Sequence, residues 1–134
     1  MTASSLFDLS GRTALITGSS GGLGLAIAEA LAESGASVIL NGRDESKLAT
    51  SVRALTSRGF SASASAFDVC DEAAVQAAFA AFDTNGIVVD ILVNNVGIGG
   101  PLGNAVDVDI AAWDAAMRIN VTSMMLMAKY AIPH

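Results

Sequence analysis

Thr17-Gly18-Ser19-Ser20-Gly21-Gly22-Leu23-Gly24 stands between a short apolar run and a helical pattern, and its reading decides the fold. The run before it, Arg12-Thr13-Ala14-Leu15-Ile16-Thr17, follows the turn residue Gly11 and fits a buried strand of a parallel sheet. After it, Leu23, Ile27, Ala30, Leu31 and Ser34 recur with a helical period, and Gly35 stops the pattern. Strand, glycine loop and helix together present backbone N–H groups and the positive end of a helix dipole to an anion, for which a pyrophosphate is the natural guest. Glycine lets the chain turn tightly, and the missing Cβ admits a phosphate close to the backbone. The competing reading is a glycine-rich turn with no ligand; the strand before and the helix after supply the context that a phosphate loop requires.

Outward from this loop, strand and helix patterns alternate, which predicts an α/β fold: a parallel sheet with helices on both faces. Ser37 to Asn41 reads as the second strand, and Asp44 as the N-cap of a helix with Leu48, Val52 and Leu55 inward and a stop at Gly59. Phe60 to Phe67 reads as a third strand, followed by a helix capped by Asp71 with Val75, Phe79 and Phe82 inward. Ile87 to Val93 is the fourth and most apolar strand. The loop Asn94-Asn95-Val96-Gly97-Ile98-Gly99-Gly100-Pro101 follows at its carboxyl end, where open α/β sheets bind ligands. The final helix begins near Asp109 and is apolar nearly all round, through Trp113, Met117, Val121, Met124, Met125, Met127 and Ala128, so it is expected to be buried on more than one side.

The 134 residues read as one domain, with 52% hydrophobic residues, enough for a core. Charged and polar residues break the apolar stretches well before the roughly 20 residues of a membrane span, and the N-terminus lacks the basic head and apolar centre of a secretory signal. Cytoplasm is the expected location, and no membrane is expected as a partner. The single cysteine, Cys70, makes no internal disulfide and reads as a small filler near a strand end. A net charge of −6, with no basic cluster, argues against nucleic acid. No metal site is expected.

The spacing Thr17-Gly18-x-x-x-Gly22-x-Gly24 resembles the short-chain dehydrogenases/reductases, and the resemblance runs from Leu9 to His134. It implies a Rossmann-type sheet, with the first and fourth strands adjacent, and a nicotinamide cofactor held by Gly18, Ser19, Ser20, Gly22, Leu23 and Gly24. Asn94-Asn95-Val96-Gly97 resembles the family's Asn-Asn-Ala-Gly, so Asn95 and Gly97 are expected beside the cofactor ribose; Val96 adds bulk there. In Asp68-Val69, the aspartate has two readings, a partner for the adenine amine or a cap for the following helix. Asn120 matches the helix asparagine that holds a water in the family's proton relay; the alternative is a structural asparagine whose amide finds its partners inside the fold. Among family members, the stretch from Val38 to Leu48 looks most like gluconate 5-dehydrogenase relatives, with 3-oxoacyl-thioester reductases a comparable choice.

Cofactor choice is read at the end of the second strand, Leu40-Asn41-Gly42-Arg43. Dinucleotide sites carry an acidic residue about 20 residues beyond the glycine loop for the NAD ribose, or a basic one for the NADP 2′-phosphate. Gly42 is not acidic and Arg43 is basic, so Asn41 and Arg43 point to NADP over NAD; the alternative is that Arg43 is a solvated loop charge. A second basic residue inside the glycine loop, frequent in NADP-preferring members, is missing.

In this family the hydride step uses a serine and a Tyr-x-x-x-Lys. Tyr130 is the only tyrosine and position 134 is His, so Tyr130 reads as packing, and His134 is not a catalytic candidate. The resemblance therefore implies the amino-terminal, cofactor-binding part of an enzyme acting on a small alcohol or carbonyl, shortened before its catalytic segment. The alternative is a non-catalytic nucleotide-binding or interaction module. The fourth strand is expected to be an exposed edge, and the last helix to mediate a homo-oligomer.

Overall fold

The computed structural model describes residues 3–133; His134 lies outside the described residues. In chain order the elements are α1 (Ala3–Leu6), β1 (Thr13–Ile16), α2 (Gly22–Glu33), β2 (Ser37–Gly42), α3 (Glu45–Ser57), β3 (Ala62–Ala66), α4 (Glu72–Thr84) and β4 (Ile91–Val93). A 3-10 turn (Ala105–Asp107), α5 (Ile110–Met117), a π-helical turn (Arg118–Thr122) and α6 (Ser123–Ala131) follow. The strands form one sheet in the order β3-β2-β1-β4, all parallel, so β1 and β4 are adjacent as expected.

Strand alternation sorts the core into two layers. Ala14, Ile16, Val38 and Leu40 face α2 and α3, where Ala28, Ala32, Leu48 and Leu55 are buried. Leu15 and Ile39 point to the opposite face and meet Val75, Phe79 and Phe82 of α4 and Met127 of α6. Burying each such large side chain stabilises by roughly 1.5–3 kcal/mol. Asp44, Asp71 and Asp109 cap α3, α4 and α5 by accepting the N–H groups of Lys47, Ala74 and Ala111.

Two elements differ from the sequence expectation. The fourth strand is only Ile91–Val93, because Asp90 ends the ladder with its own side chain. Its N–H donates to the Thr13 carbonyl at 2.9 Å, while its Oδ2 accepts the Thr13 N–H at 2.8 Å in place of a backbone oxygen. The last helix is interrupted by the π turn, and it is buried on one side only: Ala116, Ser123 and Met127 point inward, while Trp113, Met117, Val121, Met124 and Met125 are 41–67% exposed. β4 lies at the edge of the sheet, as expected for the fourth strand.

Candidate functional site

The glycine loop is fixed from behind by a polar network. Thr17, 1% exposed, donates its hydroxyl to the Val93 carbonyl and accepts the N–H groups of Asn95 and Val96. Asn95 returns the contact: its Nδ2 donates to the carbonyls of Thr17 (3.1 Å) and Gly18 (3.0 Å). Ser19 is fully buried, donating to the Ile16 carbonyl at 2.6 Å and accepting the Asn41 N–H at 3.0 Å. From α3, the Ser51 hydroxyl donates to the Ser20 carbonyl at 2.9 Å. Gly24 is where the helix meets the loop, and a Cβ there would stand 2.4 Å from the Gly18 carbonyl oxygen. Gly18 has φ of +60°, the left-handed region that favours glycine. Unlike α3, α4 and α5, α2 starts without a side-chain cap, and its first turn holds no acidic residue.

In front of the loop lies a groove of about 1100 Å³, larger than the roughly 300–1,000 Å³ of ordinary small-molecule sites. Arg43 and Lys47 both line it, with the helix cap Asp44 between them in sequence, and neither cationic side chain has an ion-pair partner among the described residues. Asn41 lies beneath, 1% exposed, its Nδ2 donating to the carbonyls of Ser65 and Phe67. Its Oδ1 is buried without a hydrogen-bond partner among the described residues.

The wall formed by Phe67 to Cys70 is shaped by Asp68, whose Oδ1 accepts the Cys70 N–H at 2.8 Å. Asp71, not Asp68, caps α4, so the capping alternative for Asp68 is not realised. Burial pushes the Cys70 thiol above its ordinary pKa, and the Asp68 carboxylate pushes it the same way, so the thiol stays protonated at neutral pH. On the opposite side, Asn120 sits in the π turn and its amide embraces one peptide unit: Oδ1 accepts the Ile98 N–H at 2.7 Å and Nδ2 donates to the Ile98 carbonyl at 2.9 Å.

Of the residues singled out in the sequence, Gly18, Ser20, Asn41, Arg43, Asp68, Val69, Asn95 and Gly97 line this groove together. Ser19 does not, because both hydrogen-bonding capacities of its hydroxyl are spent on the sheet. Gly22 and Leu23 are exposed at the start of α2, Gly24 is buried behind the loop, and none of the three lines the groove. Asn120 acts one step back, through Ile98. Sequence reading missed Lys47 and Arg118, which also line the groove. The signal for Lys47 is its place in the first turn of α3, directly after the cap Asp44 and the loop residue Arg43. Tyr130 packs as expected, its ring stacked on Phe79 with centroids 6.4 Å apart and its hydroxyl donating to Glu72.

The family model described as short chain dehydrogenase matches residues 12–134. The chain belongs to this family. As a short-chain dehydrogenase it is 38% identical, along its whole length, to the gluconate 5-dehydrogenase of Gluconobacter oxydans strain 621H, of which it covers 52%. A crystal structure of a gluconate 5-dehydrogenase from Burkholderia cenocepacia, in complex with NADP and tartrate, superposes with a TM-score of 0.93 at 40% identity, over 99% of this chain and 52% of that one. An actinorhodin polyketide ketoreductase variant with NADPH gives a TM-score of 0.83 at 30% identity, over 98% of this chain and 48% of that one. The chain thus spans about half the length of the relatives it matches. Among the described residues no helix is long and apolar enough to cross a membrane.

Proposed function

We propose that this chain is the dinucleotide-binding domain of an NADP-dependent short-chain oxidoreductase of the cytoplasm. The observation that carries the reading is the rim of the groove where Arg43 and Lys47 have no ion-pair partner among the described residues and Gly42 takes the place of an acidic residue. The groove fits the cofactor chemically: α2 offers an uncapped positive end for a pyrophosphate, the rim offers two cations for a 2′-phosphate, and Asn41 Oδ1 is an acceptor still to be satisfied. In this reading Gly18 and Ser20, with the N–H groups at the start of α2, hold the pyrophosphate. Arg43 and Lys47 bind the 2′-phosphate, Asp68 and Val69 flank the adenine, and Asn95 and Gly97 flank the second ribose.

When bound, NADP(H) supplies or accepts the hydride. The chain's own part is to orient the dinucleotide and keep water from its face, with Asn120 fixing the loop at Ile98. The proton donor and the substrate-binding segment belong, in this reading, to polypeptide beyond position 134. The named relatives point to a hydroxylated sugar acid or its keto form as substrate. The exposed face of α5 and α6 is assigned to a homo-oligomer interface.

The test is a titration of NADPH and NADH against the parent and Arg43→Ala. Loss of a charge-assisted contact to phosphate, about 1.5–3 kcal/mol, should weaken NADPH by roughly ten- to a hundredfold and NADH by less than about twofold. Lys47→Ala should act in the same direction. Equal loss for the two cofactors would sink the NADP assignment. A second reading, a nucleotide-binding or interaction module, predicts binding of the adenosine half with no turnover by the intact protein.

A further inference from the structure

The two walls of the groove are held by the same five residues. From the π turn, Arg118 Nη2 donates to the Cys70 carbonyl at 2.6 Å, across a sequence separation of 48 residues, and the Cys70 thiol lies 3.8 Å from the Arg118 carbonyl in return. Two residues on, Asn120 grips Ile98 on the other side with both ends of its amide. The turn itself is widened by one residue: the Ser123 N–H reaches back to the Arg118 carbonyl, and the buried Ser123 hydroxyl takes the Ile119 carbonyl at 2.6 Å. In a continuous α-helix, residues two apart point about 200° from one another, and inserting a residue changes which pair faces the two walls. Gly97 adds a steric stop, since a Cβ there would come within 3.3 Å of Asn120 Oδ1.

We infer that the π turn is the spacer that sets the width of the groove, and that Arg118 is the positioning residue for the wall that receives the adenosine half of the ligand. This rests on the assignment of the groove to a dinucleotide. Phe67 to Cys70 is held at its near end by Asn41 Nδ2 on the carbonyls of Ser65 and Phe67 and by the Phe67 N–H on the Gly42 carbonyl, and the side chains of Phe67 and Val69 are buried against α4 and α6. At Cys70 the polar contacts are the Asp68 turn and Arg118, which is the side-chain hydrogen bond from the helical layer to the backbone at this end. A charged donor on a backbone carbonyl at this distance is a strong bond, roughly twice a neutral one.

Arg118→Met in the intact protein removes every donor and keeps the aliphatic stem. Calorimetric titration with 2′,5′-ADP, the adenosine half, and with reduced nicotinamide mononucleotide separates the two walls. Affinity for 2′,5′-ADP should fall about tenfold, the worth of one charge-assisted hydrogen bond transmitted in part, and affinity for the mononucleotide by less than about twofold. Arg118→Lys, which keeps a donor for the same carbonyl, should recover part of the loss. The ratio between parent and Arg118→Met should hold between about 0.1 and 0.5 M salt; a ratio that collapses with salt means a direct charge contact with ligand phosphate and overturns the positioning role. Equal weakening of both halves, or no weakening of either, also overturns it. If the parent itself fails to bind 2′,5′-ADP, the dinucleotide assignment falls with it; if the parent binds and Arg118→Met binds equally, the inference about Arg118 falls alone.

Discussion

Gly24→Ala tests whether the phosphate loop is held by close packing of helix against backbone. The added Cβ would lie 2.4 Å from the Gly18 carbonyl oxygen, 2.6 Å from Asn95 Nδ2 and 2.9 Å from Ser19 Cα. Two of these three neighbours are backbone, so no side-chain rotation removes the clash, and α2 must retreat by roughly 1 Å to reach van der Waals contact. Overpacking of this kind costs about 1–3 kcal/mol. Displacing Asn95 weakens its two bonds to Thr17 and Gly18, each worth about 0.5–1.5 kcal/mol. Replacing a helical glycine by alanine returns at most about 1 kcal/mol. The balance is a destabilisation of about 3 kcal/mol, which for a chain of this size lowers the thermal midpoint by roughly 10 °C. Gly21→Ala is the control, because a Cβ at Gly21 meets nothing within 4 Å and its φ of 179° suits any residue. Urea unfolding followed by circular dichroism should shift for Gly24→Ala and stay within about 0.5 kcal/mol for Gly21→Ala. Equal shifts for the two variants, or none for Gly24→Ala, would refute the packing account.

Acid stability should depend on Asp90, whose carboxyl is held below its ordinary value of 3.8 first by the Thr13 N–H and then by the Arg12 guanidinium. With the folded value depressed, its contribution is complete above the ordinary carboxylate range and is lost as pH falls through the folded value. The urea midpoint of the parent should therefore drop more between about pH 7 and pH 3 than that of Asp90→Asn, and parallel curves would remove Asp90 from the account. Val121→Glu places a charge in the exposed stripe of Trp113, Met117, Val121 and Met124 and should give a smaller particle by light scattering than the parent at equal concentration. An unchanged mass would detach this face from assembly.

Much of the fold was legible because its signals are local. Asp44 and Asp71 are legible as caps from residue type and position alone, and each accepts a helix N–H, while the helix start expected near Asp109 is there, with Asp109 as its cap. Apolar runs locate β1, β2 and β4, since a buried parallel strand has to be apolar on both faces, while β3 shows only as the Ser-Ala alternation of a strand period. What escaped were features set by partners distant in sequence. Nothing in Ile87 to Val93 announces that Asp90 will turn its side chain onto Thr13 and shorten the strand. The π turn is equally silent: Arg118–Thr122 is poor in helix formers, with Ile, Asn, Val and Thr at four of its five positions, but that composition does not specify an extra residue in the turn, which is held by contacts to Cys70 and Ile98. The resemblance implies Ser19 at the cofactor, while in the structure its hydroxyl is engaged by the Asn41 N–H and the Ile16 carbonyl, partners that the loop's own sequence does not reveal.

The buried polar side chains explain why the glycine loop is rigid. Thr17, Ser19, Asn41 and Ser51 are each less than 10% exposed and all lie behind or beside the glycine loop; Ser123, the other buried polar residue described, supports the π turn. Each is costly to bury unless bonded, by about 1–3 kcal/mol, and each finds partners on a different element, so the loop is tied at once to β1, β2, α3 and the loop after β4. A loop so held has its N–H groups aimed before any ligand arrives, and binding then costs little reorganisation. The exception is Asn41 Oδ1, the acceptor that remains without a protein partner among the described residues. Asn41 lines the groove at the end where Arg43 and Lys47 stand. The buried acceptor left open among the described residues therefore lies at the same end of β2 as Arg43, the cation to which the proposed reading assigns the 2′-phosphate.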